Sequence, residues 1–492
     1  MKRQRGSALM IGMSSLFGCM VIGISVVGLQ ASETYKAQRV RRQAQAFALA
    51  ESGIECAQRW LTTQASPPSG TVTIIPQNST AELGSGSFSF SVIPDPSNPS
   101  RQLKIYTLRS TGTVDGISQN VDVRMRSQSF GRFAYFSDQE SANPMTLKIW
   151  FGRRDKIRGP FFTNNSNSSF TNIDNSNPAN PIFDSSVDMN GPSINYMTTK
   201  PSTDADFLKL FTLGRSAVKL AVDRIELPTT TTIQANAAWG STAGHPTTTG
   251  VYVRAAGGIY VTGDASIELQ APSANVQVLR ITQGSKTTVV QIDLQNNLRT
   301  VTDESGTTNH AGLGTGVVFV TGDITSIKGK MADSIVGANP VKSAMTIVAD
   351  AAAGRTMTVT GNIEYRTPNN TSIAPDTGVN LVAGILGLYA NRIRIGANAG
   401  ANVRVDGIVM AGTQNRTDGG FGADAHTTRS VGTLTLNGGL IQKVRAPVGT
   451  FSGNSAVSGF DKDYYYDERM MDTPPPFFPT TGKYDMLSWK QI

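Results

Sequence analysis

Cysteine, histidine and charge are all scarce in this chain of 492 residues. The two cysteines, Cys19 and Cys56, fall on what the pattern below predicts to be one helix. At ~1.5 Å per residue they would lie roughly 55 Å apart, far beyond disulfide reach. A disulfide framework and a cysteine metal site are therefore excluded. The three histidines, His245, His310 and His426, sit in Gly/Thr/Asn-rich stretches without a His or Cys neighbour, which argues against a zinc centre. Charged residues are 16% of the chain, against about 25% in an ordinary globular protein. That excludes a disordered polyelectrolyte and a helix-rich enzyme, whose helices need charged outer faces. No Gly-x-Ser-x-Gly elbow, Walker loop or dinucleotide fingerprint occurs in the strand–turn–helix context it requires.

Asp264 and Asp323 follow glycines in turns, where Asp is expected on conformational grounds, and no spacing meets the oxygen-cage pattern of calcium. The expectation is a non-enzymatic chain with no catalytic residue, no cofactor and no metal. The net charge of +8 is also less informative than it looks. Residues 1–65 carry eight Lys/Arg and three Glu, leaving +3 for everything beyond. No basic stripe interleaved with aromatics appears there, so nucleic acid is not an expected partner.

What the chain does have is Gly, Thr and Val in turn-rich alternation, and one long apolar run. From Ser7 to Ser32 there are 26 consecutive uncharged residues. As a helix this run spans roughly 39 Å, enough to cross a ~30 Å hydrocarbon core with tilt. Lys2, Arg3 and Arg5 ahead of it predict a cytoplasmic N-terminus. Gly12, Ser14, Ser15, Gly18, Gly23 and Gly28 favour close helix packing in lipid. A cleaved secretory signal is the competing reading. Its apolar core would run only ~7–15 residues, and the candidate site Leu29-Gln30-Ala31 begins with a bulky residue. Beyond the run, Val40, Ala44, Phe47, Ala50, Ile54, Ala57 and Leu61 recur at helical period. A continuous helix from Ser7 to about Thr63 follows, its second half amphipathic and resting on a globular head.

The basic leader ending in Gly6, with the apolar helix starting at once, resembles class III prepilins of type IV pili and type II secretion. Arg5-Gly6-Ser7-Ala8-Leu9, followed by Gln45-Ala46-Phe47-Ala48-Leu49-Ala50-Glu51-Ser52-Gly53-Ile54-Glu55, is similar to the PilX N-terminal family of minor pilins. The resemblance covers about 65 residues. It implies cleavage by a prepilin peptidase between Gly6 and Ser7, with Ser7 as the mature, N-methylated terminus. It also implies partners: other pilins or pseudopilins, the peptidase, and membrane lipid. Major pilins carry Glu at the fifth mature position. Ile11 stands there in this chain, which points to a minor or tip subunit. Gly12, Gly18, Val40, Phe47, Ile54 and Leu61 are the residues expected to seat the helix on its neighbours. The implied location is the bacterial cell envelope, either as an inner-membrane anchor with an exported head or as part of a surface pilus.

The fold expected is mainly β with one long N-terminal helix. After the leader (1–6), the membrane helix (7–32) and its amphipathic continuation (33–65), residues 66–138 read as a pilin-like antiparallel sheet. Its strands are Thr71–Ile75, Ser87–Val92, Leu103–Leu108 and Val121–Met125, with a hairpin at Asp115-Gly116 and a closing run at Phe130–Asp138. Residues 139–250 read as a loop-rich β connector with a helical piece at Asp204–Ile225. Residues 251–455, with apolar runs such as Ala344–Ala349 and Val379–Ala390 closed by Gly-polar turns, read as an irregular parallel β-helix. A β-sandwich head is the alternative. Residues 456–492 form an aromatic, Pro-rich strap hiding the edge of the last coil.

The function expected is a minor pilin-like subunit presenting its head for adhesion or assembly, with a surface or glycan ligand left open. The alternative is a single-span surface protein whose β-helix binds or degrades polysaccharide. Processing separates the anchored readings from a secreted one. Mass spectrometry of the purified protein's N-terminus is expected to find Ser7, and a start near Ser32 would establish the secretory signal instead.

Overall fold

The computed structural model describes residues 5–64, 68, 70–75, 86–95, 104–141, 149–152, 155–164, 171–175, 181–332, 343–366, 384–452 and 455–492. Expectations for Lys2, Arg3, most of the Ser66–Gly70 breaker, Lys148, most of 164–180 and 379–383 fall outside them. The chain divides into two compact units: Met1–Asn98 with Lys104–Arg126 and Tyr484–Ile492, and Pro99–Leu103 with Ser127–Lys483.

The first unit is built on helix α1, Arg5–Thr63, which runs through Gly53 without a break. A sheet in the order Val72–Ile74, Gly86–Pro94, Ile105–Val114, Ile117–Ser129, Thr480–Gln491 accompanies it. The first four strands are antiparallel neighbours. Asp115 (φ 45) and Gly116 (φ 78) are both left-handed, the geometry of a tight hairpin turn. Strand alternation places Phe88, Phe90, Val92, Tyr106, Leu108, Val121, Val123 and Met125 in one core with Ala46, Leu49, Ala50, Ile54, Ala57 and Leu61 of the helix. Val40 and Ala44, expected on that stripe, are exposed; among the described residues the core shared with the sheet begins at Ala46.

Helix and sheet meet closely through glycine. A Cβ on Gly112 would collide with the Ala46 carbonyl oxygen and sit 2.6 Å from the Ala50 nitrogen. A Cβ on Gly53 would meet the Ser110 side chain. Gly inside a helix costs up to ~1 kcal/mol relative to Ala, so its presence at position 53 reflects this contact.

The second unit is a stack of parallel coils, a β-helix. Its main ladder aligns Ile259, Val318, Ile347, Leu388, Val409, Leu440, Tyr135, Phe161, Val187 and Val218 in one column of Cα partners. Each coil buries what its neighbour leaves exposed, so the interior is one continuous apolar cluster. Within it Tyr135 stacks flat on Phe161 at 4.9 Å, the rung spacing of the ladder. The opposite side of the same strands is apolar too, running through Tyr260, Phe319, Val348, Tyr389, Met410, Ile441, Phe136 and Phe162. Ile225, Leu227, the short helix Thr232–Trp239, Met470 and Phe478 cover it. Burial on both faces explains why these strands read as unbroken apolar runs.

The order of the column shows how the chain threads it. The chain enters mid-stack at Tyr135, winds outward to Val218, and crosses back along the outer face. It resumes at Ile259 at the far end and winds inward to Leu440, beside its own starting strand. Several expectations change accordingly. Phe130–Asp138 does not close the small sheet: Tyr135–Gln139 pairs with Leu440–Val444 and with Phe161–Thr163. Much of the 139–250 "connector" is coil of the same stack, Lys156–Arg158, Phe161–Thr163 and Val187–Met189 among it. Asp204–Ile225 is helical only at the short helix Asp204–Leu208 and the single turn Arg215–Ala217, and Val218–Lys219 is a strand of the stack.

Two ladders of the last coil leave no edge for a strap to hide, since the first coil pairs with them. Pro474–Phe478 lies instead on the outer face, Phe478 against Gly387 and the Thr346 hydroxyl donating to Pro476 O. The chain end joins the small sheet, where Trp489 meets Phe47 edge to face at 6.0 Å. The sequence also concealed an antiparallel meander, Ala265–Ser273 through Gly306–Ala311, inserted at the Ile259 end. The turn aspartates do more than shape turns: Asp264 Oδ1 accepts from Asp323 N (2.8 Å) and Asp323 Oδ1 from Thr356 N (2.9 Å), linking successive coils.

In the first unit, Gly112→Ala is expected to lower stability by about 2–3 kcal/mol, as overpacking against backbone does. Gly53→Ala should cost less, because the Ser110 hydroxyl can rotate away and the helix gains propensity. Thermal unfolding of the full chain checks the ranking, and a larger loss for Gly53→Ala would contradict it.

Candidate functional site

Two regions carry features that packing alone does not require. The first is the N-terminal half of α1. The helix is long and apolar enough to cross a membrane, with mean hydropathy 2.1 in its best window and none of that window buried. Leu9, Ile11, Leu16, Phe17, Ile22 and Leu29 are all exposed, and Gly12 and Gly18 have nothing within 4 Å of an added Cβ. Cys19 and Cys56 are free. Ser7 lies within the helix, one residue beyond Gly6.

The residues expected to seat the helix on neighbours therefore separate into two groups. Ile11, Gly12, Gly18 and Val40 are open, whereas Ile54 and Leu61 are buried and Phe47 half-buried in the chain's own core. The lower stripe is already covered by the sheet, so it cannot also serve a second helix.

The second region is the seam of the β-helix, where the first coil meets the last. Two ladders cross it: Leu440–Val444 against Tyr135–Gln139, and Asp463–Tyr465 against Lys156–Arg158. Backbone bonds Leu440 N to Ala134 O and Arg445 N to Gln139 O (both 2.9 Å) hold it. Around them lies a buried ionic network. Asp138 receives Lys443 Nζ at 2.6 Å and Arg224 Nη2 at 2.5 Å, and Arg224 also pairs with Glu226 at 2.7 Å. Glu140 receives Arg445 Nη1 at 3.1 Å, and Asp155 receives Lys462 Nζ at 2.6 Å. Arg158 reaches Asp463 at 2.9 Å.

Burial opposes the charge on Arg445, but Tyr135, Glu140 and Asp155 beside it outweigh burial and hold the guanidinium's pKa above its ordinary value. Lys462 goes the other way: burial lowers its pKa despite Asp155. The phenols of Tyr135 and Tyr464 are pushed up, chiefly by burial, and stay protonated. None of this network was singled out from the sequence. Its only trace there is a set of acidic and basic residues in otherwise apolar strands, at positions whose pairing depends on contacts some 300 residues apart.

The third face of the coils breaks at this seam. On one side Arg392–Ile395 pairs with Gly420–Ala423, and Ala423 N donates to Pro447 O (3.1 Å). On the other side Trp150–Phe151, Thr171–Ile173 and Ile194–Tyr196 form a separate small sheet. Arg445 spans the break, donating to Ile149 O (3.3 Å) and Trp150 O (3.0 Å) and lying 3.8 Å over the Phe151 ring. A cavity of about 740 Å³ opens there.

Among the described residues no group of three or more His, Cys, Asp and Glu side chains is placed to hold a metal ion. His245 stacks on Tyr260 at 5.3 Å, His310 sits in the meander, and His426 lines the cavity.

No family model and no curated protein matches this chain. Among solved structures, the competence-associated pilin ComZ from Thermus thermophilus is similar at 13% identity, covering 92% of this chain and 97% of that one, with a TM-score of 0.32. A TM-score this low carries no argument about fold or role.

Breaking a buried pair by removing one partner typically costs ~3–5 kcal/mol. Arg445→Met is expected to fall in that range, because Glu140 and the two carbonyls lose their donor together. A double-mutant cycle with Glu140→Gln, read by denaturant unfolding, should show strong coupling. Additive losses would mean the seam does not depend on the pair.

Proposed function

We propose that this protein is a membrane-anchored, minor pilin-like subunit of a type IV pilus or a related filament. Its large β-rich head is presented at the cell surface for adhesion or assembly, and it is not an enzyme. The observation that carries the reading is the division of labour along α1: an exposed apolar half, then a half packed on an antiparallel sheet of its own unit. A helix of this kind can lie in lipid and pass into a filament core through the same surface. The prepilin-like Arg5-Gly6-Ser7-Ala8-Leu9 start supports it.

Ile11 in place of an acidic residue favours the minor role. A buried carboxylate needs a partner charge, and a chain lacking it forgoes that registration contact with its neighbour. Bulk favours the same role: helices packed at ~8–10 Å leave little lateral room for a second unit the size of Ser127–Lys483 on every subunit. Such a subunit fits best at a filament end.

Quantitative mass spectrometry of sheared filaments should find this chain far below the most abundant filament protein, and equimolar amounts would overturn the minor role. Fractionation should place the remainder in the membrane.

A further inference from the structure

We propose that the cavity at the seam of the β-helix is a binding site for a neutral saccharide. Its position is the first reason. The main ladder and one flanking ladder pass through the seam unbroken, while the third face stops on one side and restarts as a separate sheet on the other. The opening thus lies between the last coil and the small sheet. Its volume of about 740 Å³ falls within the ~300–1,000 Å³ of small-molecule sites.

The lining disfavours an anion and an added peptide strand. An anion would need an uncompensated cation, yet Arg445 and Lys462 are matched by Glu140 and Asp155 at 3.1 and 2.6 Å. An added peptide strand would need free backbone acceptors on the Trp150 edge. The carbonyls of Ile149 and Trp150 already receive the Arg445 guanidinium. What the cavity offers instead is ring faces and polar atoms at short range. Trp150, half-buried, and Phe451, 47% exposed, contribute aromatic walls.

Gln442 supplies the second, independent observation. It lines the cavity at 2% exposure, and its Nε2 donates to the Tyr135 hydroxyl at 3.0 Å. Its Oε1 is buried without a hydrogen-bond partner, which calls for a donor. A sugar ring has an apolar C–H face for the aromatic walls, hydroxyl donors for that oxygen once the Gln442 side chain turns toward the cavity, and no charge to desolvate. The inference rests on the reading of a displayed head only for where the sugar would be met.

The test uses the full chain in lipid nanodiscs, with empty nanodiscs as background. Neutral hexoses, N-acetylhexosamines and their β-linked disaccharides are titrated, with sialic acid as anionic and benzene as apolar comparison. Saturation-transfer NMR and tryptophan fluorescence provide the readout. At least one neutral saccharide is expected to bind, with sialic acid at least tenfold weaker.

Phe451→Ala, at an exposed position where the fold should be unaffected, is expected to weaken binding about tenfold. Gln442→Leu should weaken it as well, and circular dichroism confirms that the variant is folded. Absence of any saccharide signal, binding of benzene alone, or affinity unchanged in Phe451→Ala overturns the proposal. Filament stoichiometry is measured separately and is unaffected by Phe451→Ala, so the two readings fail independently.

Discussion

Everything in the larger unit depends on the seam between first and last coil, where Tyr135–Gln139 pairs with Leu440–Val444 and Lys156–Arg158 with Asp463–Tyr465. Without it the coils would form two shorter stacks, each ending in a raw strand edge with an exposed aromatic interior. A parallel ladder gains nothing from local turns, because its partners are distant in sequence and loop closure must come first. Here the partners lie some 300 residues apart. The column Leu440–Tyr135–Phe161 supplies the apolar burial, and the backbone bonds to Ala134 and Gln139 supply the register.

The ionic network makes sense in this setting. Buried ion pairs are a poor source of net stability, since desolvation consumes most of the Coulombic gain. Their strength is in penalising the wrong neighbour. If Leu440–Val444 slipped by one residue, Lys443 and Arg445 would be delivered to the opposite face and leave Asp138 and Glu140 buried without cations. Apolar residues could tolerate such a slip far better. The charges fix a register that the repetitive interior leaves loosely specified.

Much of this fold was legible in the sequence, and the boundary follows the range of the interaction. The helix and the Asp115-Gly116 hairpin rest on neighbours within a few residues, and both match the expectation. The apolar runs announced parallel ladders because burial on both faces removes alternation. Periodicity puts Val40 on the buried stripe because it reports a helix face but not where the opposing sheet ends. Proximity in sequence puts Phe130–Asp138 in the small domain, whereas Tyr135–Gln139 pairs with Leu440–Val444 and Phe161–Thr163. Gly53 is visible in the sequence as part of a motif; its reason, close approach to Ser110, depends on the sheet. The seam network was illegible because no local pattern distinguishes Lys443 from a solvated lysine.

The threading also has a mechanical meaning. In a solenoid fastened by a terminal coil, tension peels one coil after another from that end. Neither end of this stack, at Ile259 or at Val218, carries a chain terminus, and both chain ends belong to the other unit. A pull through α1 is delivered beside Tyr135, mid-stack, where parallel strands on both sides must give way together. The coils between form a closed loop that slackens only after the seam ruptures. Under load such a head resists as one clasp rather than unspooling.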